Sequence, residues 1–130
     1  MWNPRIVMGI VVFCAIIAGA LWTIDMGVAI FLDAPSLLLV LGISVPLGWL
    51  TGRGDLSLAL RRMADHAVPA GWVGAAIGVV ASARAAHELD QATSMIHFSI
   101  AILPMLYGYS AKILLGFASD VIRSDSPEPS

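Results

Sequence analysis

The ionisable side chains of this chain, which could carry acid–base chemistry, almost all lie outside its four long apolar runs. The acidic residues fall between or beyond these runs, at Asp25, Asp33, Asp55, Asp65, Glu88, Asp90, Asp120, Asp125 and Glu128. A membrane chain that moves protons by itself usually needs an ionisable group inside the bilayer. His97 and Lys112 are the nearest candidates. Hydrogen bonding at the outer rim accounts for His97, and snorkelling to the interface accounts for Lys112. A proton relay through His97 remains the alternative.

The chain also lacks the residue spacings of an enzyme or a metal site. Its one cysteine, Cys14, lies inside an apolar run and has no partner for a disulfide. No nucleophile–base motif and no glycine-rich phosphate loop are present. We therefore expect no catalytic residues, no metal, no cofactor and no nucleic-acid partner.

The composition is that of an integral membrane protein. Of 130 residues, 58% are hydrophobic and only 12% are charged, and the mean hydropathy is +0.87. Soluble domains are about one quarter charged. A soluble core of this size could not hide so much apolar surface, so one membrane domain is the simplest interpretation.

The apolar runs predict four membrane-spanning helices, since most approach the ~20 residues that cross a bilayer. The first run follows Arg5, as in a signal peptide, but it is too long for one. We predict an all-α integral membrane domain over residues 1–123 and a disordered tail at 124–130. The spans are expected at about 6–24, 35–50, 68–85 and 94–118.

Local signals refine the helices. Asp33 and Pro35 indicate a helix start, with a capping aspartate and a proline in the first turn. Pro46 predicts a bend in the second span, for which Ser44 or a neighbouring helix would compensate. Pro104 predicts an interruption of the fourth span. The polar segment 52–67 is expected to be either a short amphipathic helix on the membrane surface or a plain connector.

The arginines predict the orientation. One side carries Arg84 alone, while the other carries Arg5, Arg53, Arg61, Arg62 and Arg123. The positive-inside rule then places both termini and the 52–67 segment in the cytoplasm.

The third span carries a face of small residues. On a helix this face is formed by Gly71, Gly74, Gly78, Ala81 and Ala85. The Gly74–Gly78 spacing is GxxxG, which lets a second helix approach closely in lipid. The partner helix could belong to the same subunit or to another.

Three motifs resemble one known family. The sequence FLDAPSLLLVLG at 31–42 is similar to the opening of the second membrane helix of MotA-type flagellar stator proteins. GWVGAAIG at 71–78 resembles their glycine-rich third helix, and the LYG of 106–108 resembles their fourth. Leu89-Asp90 matches the acidic turn between those helices. The chain thus resembles the MotA/TolQ/ExbB proton-channel superfamily, closest to the MotA branch, over nearly all four spans.

The resemblance implies an assembly and a localisation. It implies a homopentamer around a central pore in the bacterial inner membrane, as part of an ion-driven motor or stator complex. Single-span partners of the MotB or ExbD type, which carry a membrane aspartate, would fill the pore, and membrane lipids would surround it. The implied pore-lining residues are Ala75, Val79, Ser82, Met105, Leu106 and Ser110, and the implied helix-packing residues are Gly71, Gly74, Gly78, Tyr107 and Gly108.

The chain departs from this family in two ways. The large cytoplasmic domain is replaced by residues 52–67, and the threonines of the family's ion path fall at Ala75, Pro104 and Met105. A non-conducting pentameric scaffold that binds a partner helix or lipid is therefore the second hypothesis. An unrelated four-helix membrane protein, such as a small transporter subunit, is the third.

Overall fold

The structure, a computed structural model, describes residues 3–23, 31–88 and 90–125. Within these residues the chain forms five α-helices: α1 Pro4–Thr23, α2 Ala34–Thr51, α3 Leu56–Ala85, α4 Gln91–Ala101 and α5 Leu103–Ser124. With α4 and α5 taken together, four helical segments are long and apolar enough to cross a membrane. For the residues described, the prediction of an all-helical chain with four potential membrane spans is confirmed.

Helix α3 is the centre of the bundle. It packs against α2 on one side and against α4 and α5 on the other. The contact surface consists largely of small residues, including Ala59, Ala64, Ala67 and Ala70, which are all almost fully buried. Small side chains let the helix backbones approach closely, so van der Waals contact between helices replaces a core of large residues.

Helix α1 lies at the edge of the bundle and packs mainly on α5. Gly9 provides the close approach, because a Cβ added there would collide with the ring of Phe117. At the start of the helix, Arg5 lies 3.2 Å from a carboxylate oxygen of Asp125. The beginning of α1 and the end of α5 are thus at the same end of the molecule.

Helix α3 begins earlier than the sequence predicted. Residues 56–67 are its first three turns, not a separate surface helix or connector. Asp55 caps it by accepting a hydrogen bond from the backbone N–H of Leu58 at 3.2 Å. The small residues of this segment pack closely; a Cβ on Gly52, for example, would lie 2.6 Å from Cα of Ala59. This packing favours a continuous helix of 30 residues, about 45 Å long.

The fourth predicted span is broken into two helices near Pro104, where the sequence predicts an interruption. α4 ends at Ala101, and α5 starts at Leu103 without a side-chain cap. The backbone N–H of Met105 bonds to the carbonyl of Ile102 at 3.0 Å. Proline fits here because the first turn of a helix needs no donor from it.

Two local predictions concern helix α2, and the structure agrees with one of them. Asp33 caps the helix as expected, accepting from the backbone N–H of Ser36 at 3.3 Å. The sequence left two ways to compensate for Pro46, the Ser44 side chain or a neighbouring helix. The Ser44 hydroxyl is buried without a hydrogen-bond partner among the described residues. Side-chain compensation by Ser44 is therefore wrong.

Some predictions lie outside the described residues. These are the end of the first span at about residue 24, the position of Leu89 in the acidic turn, and the tail beyond Asp125.

Candidate functional site at the junction of α2, α3 and α5

The glycine face of α3 is occupied by the same chain. A Cβ added to Gly71 would lie 2.6 Å from the carbonyl oxygen of Pro104, and one on Gly74 would lie 2.7 Å from the Pro104 side chain. A Cβ on Gly78 would lie 2.9 Å from Cα of Ala101. Of the two partners that the sequence left open, the structure provides the intramolecular one. The glycine face is thus no argument for a neighbouring subunit.

Pro104 is the residue against which this face packs. It is buried at the start of α5, directly after the α4–α5 break. The break therefore sits opposite Gly71 and Gly74, where the two backbones come closest. We infer that these glycines and Pro104 act together, because the absence of side chains at Gly71 and Gly74 makes room for the break between α4 and α5.

Tyr107 ties α5 to the residues that precede α2. Its phenolic oxygen accepts a hydrogen bond from the backbone N–H of Asp33 at 2.8 Å and donates to the carbonyl of Phe31. The next residue, Gly108, lies against α3, where a Cβ would be 2.6 Å from the carbonyl oxygen of Ala67. Two adjacent residues of α5 therefore contact different parts of the chain: Tyr107 contacts the residues before α2, and Gly108 contacts α3.

The predicted pore-lining residues do not share one exposed surface. Ala75 and Ser82 are only 5% and 6% exposed within the chain, so they face the interior of the bundle in the single subunit. Val79 and Leu106 are each 41% exposed. Met105 and Ser110, the remaining two, are partly exposed. The surface that these residues offer is mainly apolar.

The ionisable candidates are separate from one another. His97 on α4 and Lys112 on α5 are both exposed on the isolated chain. Among the residues that the structure describes, no group of three or more histidine, cysteine or acidic side chains could hold a metal. The arrangement at the junction can position helices, and it offers no acid–base pair within the described part of the chain.

Two features were not anticipated from the sequence. Ser57 and Ser119 join the start of α3 to the end of α5: the Ser119 hydroxyl donates to the Ser57 carbonyl at 2.8 Å, and the Ser57 hydroxyl donates to the Ser119 carbonyl at 3.1 Å. The second feature is a cavity of about 590 Å³ between α2 and α3, lined partly by basic side chains. Isolated serines and arginines in polar segments give no pairing signal, so only the fold brings them together.

The comparisons with known proteins add no relative, since no family model, no curated protein and no solved structure matches the chain.

Proposed function

We propose that this chain is a membrane subunit of the MotA/TolQ/ExbB type, which assembles as a homopentamer around single-span partner helices. The partner would supply the membrane aspartate on which ion movement depends. In this proposal the chain contributes the wall and the packing surfaces of an ion-driven complex, and no catalytic group.

The observation that carries the proposal is the convergence of the three motifs on which the resemblance rests. Tyr107 of the third motif bonds to Asp33 of the first. A Cβ on Gly74 of the second motif would lie 3.1 Å from the Leu39 side chain of the first. Likewise, a Cβ on Gly108 would lie 3.3 Å from Cα of Gly71. A shared architecture requires these three motifs to lie together, and their contact is the support that the proposal has.

The outer surface of the bundle supports an assembly in the membrane. Helix α3 presents Trp72, Val73, Ile77 and Val80 outward, each more than half exposed. Because the glycine face is filled within the chain, contacts between subunits would have to use large apolar residues of this kind. Lipid or other helices must cover such a surface.

A non-conducting scaffold is the second candidate, and the apolar character of the proposed lining favours it. Val79 and Leu106 bear no group that can coordinate an ion, and Ser82 is turned into the bundle. Ser110 offers the one partly exposed hydroxyl of the proposed lining. Apolar constrictions close to ions by dewetting. We expect the chain without a partner to be closed.

Native mass spectrometry of the detergent-extracted chain tests the assembly. The proposal requires a species of five copies. A monomer or dimer that persists across several mild detergents would contradict it and favour the unrelated four-helix protein.

Proton flux into liposomes separates the two candidates. Vesicles that hold the chain alone should not leak protons under an imposed gradient. Co-reconstitution with a single-span helix that carries a central aspartate should open a flux if the complex conducts. The matched control is the same helix with asparagine in place of the aspartate. A partner that binds without any flux would leave the scaffold as the function.

A further inference from the structure

A cavity of about 590 Å³ opens where α2 ends and α3 begins. Its walls combine apolar and basic side chains: Leu50, Thr51, Arg53, Leu58, Arg62 and His66. None of these lining residues, all within the described ranges, is a carboxylate. The nearest acid in the turn, Asp55, is engaged in capping α3 through the N–H of Leu58. The cavity thus offers two guanidinium groups and an imidazole beside two leucines.

The arginines at this end of the molecule fall into two groups. Arg61 faces α5 and lies 3.8 Å from a carboxylate oxygen of Asp120. Arg53 and Arg62 line the cavity, and neither forms an ion pair with any residue in the described ranges. Both arginines are exposed and have no protein anion in the described ranges, so they are free to bind an anion from outside the chain.

The backbone of Arg53 adds an independent observation. Its φ is +50°, in the left-handed region that favours glycine or asparagine, and Gly54 follows with φ +83°. Arginine has no conformational advantage in such a turn. An arginine in this conformation is a candidate for a role outside the turn itself.

The position of the cavity identifies the class of ligand. Helix α2 is apolar enough to span a membrane and ends at Thr51, and the neighbouring Trp49 and Leu50 are both strongly exposed. Exposed tryptophan beside arginine is typical of the level of lipid headgroups. We propose that the cavity binds the phosphate of an anionic phospholipid, with Arg53 and Arg62 on its oxygens and Leu50 and Leu58 along the start of an acyl chain.

Native mass spectrometry of the full chain with defined lipids tests the site. Phosphatidylglycerol should remain bound to a larger fraction of the protein than phosphatidylcholine with the same acyl chains. Arg62→Gln should lower phosphatidylglycerol retention about fivefold, as expected for the loss of one cation near an anionic headgroup. Arg61→Gln is the matched control, because it removes the same charge from the adjacent residue and should leave most of the retention.

Arg53→Asn distinguishes binding from folding. Asparagine accepts the left-handed backbone, so thermal stability in detergent should be unchanged or raised. Lipid retention should nevertheless fall about fivefold. A variant that is as stable as the wild type and has lost its lipid cannot be explained by damage to the turn.

Three results would overturn the proposal. The first is equal retention of the two lipids by the wild type. The second is an equal loss in Arg61→Gln and Arg62→Gln, which would indicate a diffuse charge effect. The third is full displacement of phosphatidylglycerol by soluble glycerol phosphate, which would make the cavity a site for a free anion. None of these results depends on the number of subunits, so the site is tested independently of the proposed pentamer.

Discussion

The hydroxyl of Tyr107 acts both as a donor and as an acceptor, so this one side chain binds two backbone groups at the junction. It bonds to the carbonyl of Phe31 and to the backbone N–H of Asp33. Tyr107→Phe removes both bonds without changing the shape of the ring, and should destabilise the chain by about 1 kcal/mol. The thermal midpoint in detergent should fall accordingly. Tyr109→Phe is the control: Tyr109 is 48% exposed and makes no hydrogen bond within the described chain. Equal thermal midpoints for the two variants would mean that the two hydrogen bonds of Tyr107 do not stabilise the chain.

Asp90 provides a pH-dependent cap for α4. Hydrogen bonds from the side chain and the backbone N–H of Thr93 hold the pKa of Asp90 below its ordinary value of 3.8. A carboxylate with a lowered folded-state pKa stabilises the fold above the ordinary value, and this contribution is lost as the pH falls through the folded-state value. An asparagine at this position would cap the helix without titrating.

The Asp90→Asn variant should therefore lose less thermal stability than the wild type when the pH falls from roughly 5 to roughly 3. Thermal unfolding followed by circular dichroism at several pH values measures the difference. Because the two chains differ at this position alone, the comparison isolates the cap. Parallel pH profiles would mean that the cap does not contribute.

At the scale of elements, the contact between α3 and α5 depends on the absence of side chains. Gly71→Ala would place a methyl group 2.6 Å from the carbonyl oxygen of Pro104, a backbone atom that cannot move aside easily. We expect a loss of about 1–3 kcal/mol from overpacking. Gly42→Ala is the matched change, because nothing lies within 4 Å of the added Cβ. It should stabilise α2 by about 0.5–1 kcal/mol.

Opposite shifts of the thermal midpoint would identify steric exclusion as the role of Gly71.

The same close contacts change how larger substitutions on the glycine face should be interpreted. Leucine at Gly74 and Gly78 would strike Pro104 and Ala101 of the same chain. We therefore expect the double variant to misfold, rather than to yield folded subunits that fail to assemble.

The helix starts and breaks could be predicted because their signals are local. Asp33 and Pro104 act on their own turns, and both do what their residue types indicate. The early start of α3 could not be predicted in the same way. Arg61 and Arg62 make the segment look like a polar surface element, while Ala59 and Met63 on its other side pack against glycines at the end of α2. That contact depends on the register between two helices, which a single sequence does not reveal.

The candidate site shows the same limit. The glycine spacing identifies the packing face of α3, because three- and four-residue spacings alone define a face. It does not identify which neighbouring positions stay exposed. Ala75 and Val79 are four residues apart on one face, yet the first is buried and the second is 41% exposed. The difference depends on how far the neighbouring helices cover each position, and so on the tertiary fold.

At the scale of the whole molecule, two contacts place three features of the chain at one end of the bundle: the start of α1, the end of α5 and the α2–α3 turn. Arg5 meets Asp125, so α1 begins where α5 ends. Ser57 meets Ser119, so the α2–α3 turn lies at the same end. The α3–α4 turn, near His87, follows at the far end of the 30-residue α3. In a membrane, the first three features should share one side, and His87 should lie on the other.

Single-cysteine labelling tests this topology directly. In a Cys14→Ser background, cysteine at Asn3, Leu56 or Ser124 probes the first end, and cysteine at His87 probes the other. A membrane-impermeant maleimide added to intact cells should label only the His87 position, because the positive-inside rule places the arginine-rich end in the cytoplasm. Permeabilised cells should give label at all four positions.

Labelling of the other three positions but not His87 in intact cells would preserve the fold and reverse the orientation. Labelling that places Asn3, Leu56 and Ser124 on different sides of the membrane would contradict the fold itself. The ion pair and the serine contact require these positions to lie at the same end of the bundle. The same experiment also bears on the lipid site. Arg53 and Arg62 flank Leu56 in sequence, so the side on which Leu56 is labelled is the leaflet from which the cavity would draw its phospholipid. Cytoplasmic labelling would direct the lipid test to the anionic inner leaflet.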